Sequence, residues 1–448
     1  MPEIPTAAEA TRASAPDRFT PGYSRYVLGV LFLAYVSNSV DRGILSILLE
    51  PIKQEFTLSD TDLGLLGGLA FAIFYSVLGL PIAALADRTN RRNVLAISIA
   101  LWSIATALCG AAANFTQLVA ARVGTAIGEA GGTPPSSAII ADYFPVQNRA
   151  TALSIYALGI PIGAMIGSFG GGWGNEFFGW RWTFVGAGLP GLFIAALVLF
   201  TVKEPPRGLS DNVSTAEANA EAPSVSSVLR ILWSRHSFRH LSLGAALHSL
   251  VFYGMATFNT SFFVRSHGMT TGEAGNWLAL FVGLGAIGTF LGGYLSDLLS
   301  RRTGDRRWYL WIPAIGCIAM VPLQFTSYLS EGLLVIGPSF VLMTILASFF
   351  FGPSAAMTQS LVTLRMRAVA ASFLLFVQTL IGLSLGPILA GIISDALTPR
   401  FGVDALRYSL VIIGLINVWA ALHYYWGART LRADLDATEA LNQARRSG

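Results

Sequence analysis

The strongest chemistry in this 448-residue chain is a carboxylate beside a guanidinium, Asp41-Arg42, late in the first long apolar stretch. Further on stand Arg122 and Glu129, seven residues apart. On a helix, seven residues return to nearly the same face, about 10 Å further along the axis. Adjacent residues point about 100° apart, so Asp41 and Arg42 cannot share one direction. Ionised groups inside hydrocarbon are costly and face a bundle interior or a water-filled cavity. A carboxylate is held ionised by a nearby arginine and is pushed toward protonation when desolvated without one. Asp41 and Glu129 are therefore the expected proton carriers. Arg42 and Arg122 keep their protons and act as countercharges or as anchors for an anion. A fixed set of ion pairs holding two helices together is the structural alternative.

Such a set needs a membrane around it. The chain is 53% hydrophobic and only 12% charged, against roughly 25% charged in ordinary soluble domains. Its mean hydropathy is +0.59. The fold class is all-α and polytopic. The net charge of +4 is no nucleic-acid signal, because basic residues cluster in short loops between apolar runs. Cys109 and Cys317 both fall inside apolar runs, so neither a disulfide framework nor a metal site is expected. The first 24 residues are polar and lack an apolar core, so no cleaved signal peptide is expected.

Runs long enough to span recur about every thirty residues. They predict twelve helices near 25–49, 61–86, 94–113, 117–140, 149–172, 182–202, 240–264, 273–298, 308–328, 333–357, 367–393 and 406–428. Residues 203–239 break the rhythm. Their Ser/Ala/Asn/Glu part reads as a linker, and Val228–Trp233 as a short amphipathic surface helix. The expected organisation is an N-terminal tail (1–24), a six-helix bundle (25–202), a linker (203–239), a second bundle (240–428) and a C-terminal tail (429–448). Fifteen Lys and Arg fall in alternate loops, against five (Lys53, Arg181, Arg265, Arg400, Arg407) in the others. That bias predicts cytoplasmic termini in an inner membrane.

The two halves echo each other. Asp87-Arg88-Thr89-Asn90-Arg91-Arg92 follows the second run, and Asp297-Leu298-Leu299-Ser300-Arg301-Arg302 follows the eighth. Each has an acid, three further residues, then Arg-Arg. Gly159-Ile160-Pro161-Ile162-Gly163 and Gly382-Leu383-Ser384-Leu385-Gly386-Pro387 form a second echo. Matched interruptions of this kind mark an internal duplication and a two-halved transporter. The paired loops resemble the signature of the major facilitator superfamily, departing from it at Ala83 and Asn90 in the first copy and at Leu298 and Arg301 in the second. Asp41-Arg42, Glu50-Pro51-Ile52-Lys53, Arg122 and Gly128-Glu129-Ala130 are similar to the Spinster family within it. The resemblance implies twelve helices in two halves, with the first and fourth lining a central cavity. It implies a cytoplasmic gate at Asp87, Arg91, Asp297 and Arg301. It also implies the cargo of animal Spinster members, sphingosine-1-phosphate and lysophospholipids.

Other in-span polar and aromatic residues complete the expected cavity: Asn38, Tyr75, Tyr156, His248, Asn259, Thr358 and Gln378. Two arginines among aromatic rings suit an amphipathic anion. The only lysines, Lys53 and Lys203, sit in no phosphate-binding loop, which excludes an ATP-driven pump. The expected function is secondary active transport by alternating access, with no cofactor beyond a proton gradient. Proton-coupled antiport, facilitated uniport and export of drugs or organic anions share the fold. A lipid-modifying enzyme is a distant alternative, lacking clustered His or Cys. The expected partners are a lipid-like small molecule, protons and the bilayer, and the expected state is a monomer.

Overall fold

In lipid, every backbone polar group must be satisfied within the protein, which leaves the helix as the natural element for such apolar runs. The computed structural model describes residues 19–206, 224–363 and 366–447, and among these no strand forms. The N-terminal half comprises α1 (Pro21–Phe56), α2 (Asp60–Arg88), α3 (Arg91–Gly110), α4 (Phe115–Ala130), α5 (Thr133–Tyr143), α6 (Val146–Ala157) and α7 (Gly159–Thr201). A short amphipathic helix, α8 (Val225–Ser234), buries Val228 and Leu232 and precedes the second half. That half comprises α9 (His236–His267), α10 (Thr271–Thr303), α11 (Trp308–Leu329), α12 (Leu333–Ala347), α13 (Phe351–Ser360), α14 (Arg367–Val377), α15 (Ser384–Phe401), α16 (Ala405–Gly414) and α17 (Ile416–Ser447). Residues 207–223, the middle of the expected linker, lie outside the described residues, as do residues 1–18 of the N-terminal tail.

Nine helical stretches among the described residues are long and apolar enough to cross a membrane. Their outward side chains are apolar: Leu334 is 93% exposed and Phe200 81%. Lipid is the environment that such surfaces need. Local chemistry sets the helix starts. The Asn90 side chain accepts from Asn93 N, and Ser59 and Thr270 form capping boxes with Asp62 and Glu273. Asn114 caps α4 by accepting from Gln117 N. The 43 residues of α7 would measure about 65 Å if straight, twice the hydrocarbon thickness. The chain turns at Gly179, with φ 77° and ψ 162°, a conformation that a side chain would strain. The helices overrun the sequence estimate at several ends. α1 continues through Pro51 to Phe56, and α17 runs past 428 to Ser447.

Three apolar cores show how the halves meet. One contains only N-terminal residues, among them Val27, Leu31, Ile99, Ile139 and Val198. A second contains only residues from Val228 onward, among them Phe238, Cys317, Met357 and Tyr424. The third joins Ile47, Leu48, Ile52, Leu63 and Phe184 to Val251, Phe258, Phe263 and Phe340. The halves thus share a core only toward the helix ends far from the chain termini. There the helices meet backbone to backbone. A Cβ at Gly68 would lie 2.6 Å from Leu383 O, and one at Gly391 would lie 2.2 Å from Asp60 O. The α2 contact sits between two π-turns, Leu65–Leu69 and Gln378–Leu383. Such turns locally widen a helix and often mark moving or functional segments.

Candidate functional site

The four charges come together where α1 passes α4. Arg42 Nε donates to Glu129 Oε2 at 2.7 Å. Arg122 Nη1 faces Asp41 at 3.4 Å from Oδ2. The pairing is crossed: the two residues adjacent on α1 take different partners on α4, as their angular separation demands. Burial is unequal. Asp41, Arg122 and Glu129 are buried, while the Arg42 side chain is 40% exposed. Arg42 is therefore the member open to a passing solute.

The set is not saturated. Glu129 Oε1 and Arg122 Nε are buried with no hydrogen-bond partner among the described residues. A fixed structural ion pair gains from using all its donors and acceptors. Phe71 of α2 lies against both cations, 5.0 Å from the Arg42 guanidinium carbon and 5.4 Å from that of Arg122. Tyr75 stacks on Phe71 and lies 4.8 Å from Arg42. Phe71→Leu keeps an apolar body and removes the quadrupole beneath both guanidiniums. About 0.5–2 kcal/mol of stability should be lost, read as a lower thermal midpoint in detergent. Phe71→Tyr should retain most of it.

The other predicted residues divide. Asn38 and Tyr156 are buried, Tyr156 stacks on Tyr35 at 4.4 Å, and Tyr75 is half-buried beside Arg42. Gln378 lies in the π-turn of the second half and is mostly buried. His248 does not line an open cavity. It is 1% exposed, with Nδ1 at 2.8 Å from Asn417 Oδ1 and Nε2 at 2.9 Å from Ala347 O. Thr358 is fully enclosed, and Asn259 accepts from Tyr328 Oη at 2.8 Å. His248 and Asn259 thus find partners in the packing rather than a cavity, while Thr358 Oγ1 is buried with no hydrogen-bond partner among the described residues.

The expected gate residues also take other partners. Asp87 is exposed, and Arg91 turns to Asp142 at 2.6 Å, Glu204 Oε1 at 2.9 Å and the Pro205 carbonyl at 3.0 Å. Asp297 accepts from Tyr309 Oη, and Arg301 Nε reaches only the Asp297 carbonyl at 3.3 Å. Each of these contacts stays within one half. The reason is separation: at this end each half has its own core.

The sequence reading missed a polar network at the opposite end. Arg265 of α9 binds Asp60 through both terminal nitrogens at 2.8 Å, and its Nε binds Glu50 at 2.8 Å. Lys53 and Ser394 also donate to Asp60. Asp395 of α15 accepts from Asp60 N at 2.9 Å, Thr61 N at 2.8 Å and Thr61 Oγ1 at 2.6 Å. Thus the second half supplies the acid that caps α2 of the first. Nearby, Glu176 accepts from Thr271 N and Oγ1, and Trp173 Nε1 donates to Asn276. The available signal was Asp60 opening a helix beside Glu50 and Lys53. In the sequence Arg265 reads only as a loop charge.

The comparisons with known proteins give the family. A profile described as Major Facilitator Superfamily matches residues 31–383. The structure of a bacterial homologue of the human lysosomal transporter Spinster, inward-facing and unoccupied, superposes with a TM-score of 0.86. It is 32% identical, with 93% of this chain and 99% of that chain covered. The chain is a Spinster-type member of the Major Facilitator Superfamily. An MFS-type efflux pump of Mycolicibacterium smegmatis is 34% identical over 423 residues, covering 94% of this chain and 96% of the relative. Protein spinster homolog 1 of Homo sapiens is 28% identical, covering 97% and 85%. The D-galactonate transporter of Escherichia coli is 27% identical, covering 77% and 82%. This Spinster-type chain is a polytopic membrane transporter, not an enzyme.

Proposed function

We propose that this chain carries an amphipathic anion across the inner membrane by proton-coupled alternating access, in twelve crossings with cytoplasmic termini. The observation that carries the reading is the crossed, unsaturated four-charge set around the half-exposed Arg42. With termini inside, the shared core closes the outer face and the halves part toward the cytoplasm, an inward-facing state. The cargo class follows from two guanidiniums beside Phe71 and Tyr75. A phosphate or carboxylate head would take Arg42, and rings would meet an apolar tail. A lysophospholipid or sphingosine-1-phosphate-like molecule has this form. The galactonate transporter among the relatives favours a second reading, a hydrophilic organic acid without a tail.

The charge balance sets the coupling. Asp41 and Glu129 neutralise Arg42 and Arg122 when all four are ionised. An anion that takes Arg42 leaves Glu129 without its partner, so a proton replaces it. Anion and proton thus favour each other's binding and move together. A cationic cargo would compete with the proton and give antiport. The test is purified protein in liposomes, with lysophosphatidate, galactonate and a cationic amphiphile, each with and without a pH gradient. Lysophosphatidate flux should rise with an inward proton gradient. Flux indifferent to pH for every cargo sinks the coupling, and flux of galactonate alone selects the second reading.

A further inference from the structure

Three of the five histidines lie at one place, the linker end of the second half. His240 of α9 and His423 of α17 meet with Nδ1 to Nδ1 at 2.9 Å. Their rings are enclosed by indoles: Trp426 lies 5.8 Å from His240 and 5.5 Å from His423, and Trp419 lies 5.9 Å from His423. One turn earlier on α9, Arg239 Nη2 and His236 Nδ1 are 2.8 Å apart. Glycines bring the helices close enough for this meeting. A Cβ at Gly427 would lie 3.2 Å from His240 Cβ, and one at Gly244 would lie 3.1 Å from Ala420 O.

The depth of the pair is that of the lipid headgroup boundary. His240 is four residues into α9, about 6 Å along the axis, and His423 lies six residues before Arg429, about 9 Å. Trp419 is 54% exposed and Trp426 38%. Indoles at the surface of a membrane protein collect at that boundary. Arg230 on α8 is exposed at the same end, as is His236. The face is cationic and aromatic.

The chemistry of an imidazole pair is specific. An Nδ1–Nδ1 hydrogen bond needs one proton between the two nitrogens. If the pair holds one extra proton, both Nε2 atoms carry N–H and the charge is +1. The rings lie end to end, so the two Nε2–H donors diverge, and a phosphate takes one of them, drawn by the charge of the shared proton. Neither Nε2 has a hydrogen-bond partner among the described residues, and neither is among the buried unpartnered atoms. The groups that face the pair are His236 and Arg239 on α9 and the indoles on α17. The acid of α17 nearest this end, Asp434, is already bound to Ser237 N at 2.9 Å and Ser237 Oγ at 2.6 Å.

We propose that the His240–His423 pair forms a proton-dependent binding site for the phosphate of an anionic membrane phospholipid on the flank of α9 and α17. The site is separate from the four-charge set and does not depend on the cargo. Because anion and extra proton stabilise each other, binding strengthens as the pH falls toward the imidazole range.

The experiment is native mass spectrometry of the full chain from nanodiscs of equal phosphatidylglycerol and phosphatidylcholine. The wild type should retain phosphatidylglycerol preferentially, and more at pH 6 than at pH 8. His240→Gln and His423→Gln should each cut that retention about tenfold, the scale of one charge-assisted hydrogen bond, and flatten its pH dependence. Retention of both lipids alike by the wild type, or an unchanged pH profile in both variants, overturns the proposal. So does displacement of the lipid by inorganic phosphate, which would make this a site for the free anion.

Discussion

Glu129→Gln should abolish the response of transport to a pH gradient while leaving a folded protein. Glu129 is buried and its Oε2 receives the 2.7 Å bond from Arg42. Glutamine keeps the shape and a carbonyl acceptor but neither charge nor proton. Removing one partner of a buried ion pair costs about 3–5 kcal/mol. Arg42 is 40% exposed, so water screens the charge left behind and the loss should fall below that range. The thermal midpoint should therefore drop modestly. The flux gained from an inward proton gradient should disappear altogether.

A second variant separates coupling from packing. Arg42→Gln with Glu129→Gln removes both charges together, which is often nearly neutral for stability. If the set is only structural, the double variant should recover both the midpoint and the flux. If Glu129 carries the proton or Arg42 holds the cargo, the midpoint recovers and the gradient response does not. Retention of a full gradient response by Glu129→Gln, and equally by Asp41→Asn, would remove the proton role from this set. The unpartnered Glu129 Oε1 and Arg122 Nε are the reason to expect otherwise, since they leave room for a second arrangement of the same four groups.

What was legible in the sequence follows from the physics of hydrocarbon. Long apolar runs and rare internal charges stand out, so the helices and the set of Asp41, Arg42, Arg122 and Glu129 could be read directly. The direction of pairing could not, because it depends on how α1 and α4 cross. Cavity lining and packing could not be told apart for His248 for a related reason: sequence shows a polar atom in a span but not the Asn417 partner 169 residues away. His240 and His423, 183 residues apart, were invisible as a pair. The expected gate residues follow from residue type, but Arg91 binds Asp142 and Glu204 within its own half. Near helix ends, charge has an ordinary explanation in topology. That explanation concealed Asp60, Asp395 and Arg265.

Those three residues carry the other large expected effect. Asp60→Asn should open the face that is closed here. The Asp60 carboxylate is the hub: it takes two nitrogens of Arg265 across the halves, plus Lys53 and Ser394. Among the described residues, Glu50 and Asp60 pair with two cations, Lys53 and Arg265, and Asp395 is the third acid beside them. The positive N-terminal end of α2 balances the third acid, since Asp395 accepts from its first amides. Asparagine at 60 leaves the α2 amides and Asp395 in place but strips Arg265 of its bidentate partner. Asp60 is 2% exposed, so about 3 kcal/mol of closure should be lost, roughly a hundredfold in the ratio of the two states. Spin labels at Thr116 and Glu331 should report a longer distance in the variant, and labels at Asn148 and Thr303 a shorter one. Arg265→Gln should do the same. Asp395→Asn should do less, because it removes a helix cap and spares the ion pair. Unchanged label distances in Asp60→Asn would mean that the shared apolar core and the glycine crossings, rather than the charges, hold the two halves closed.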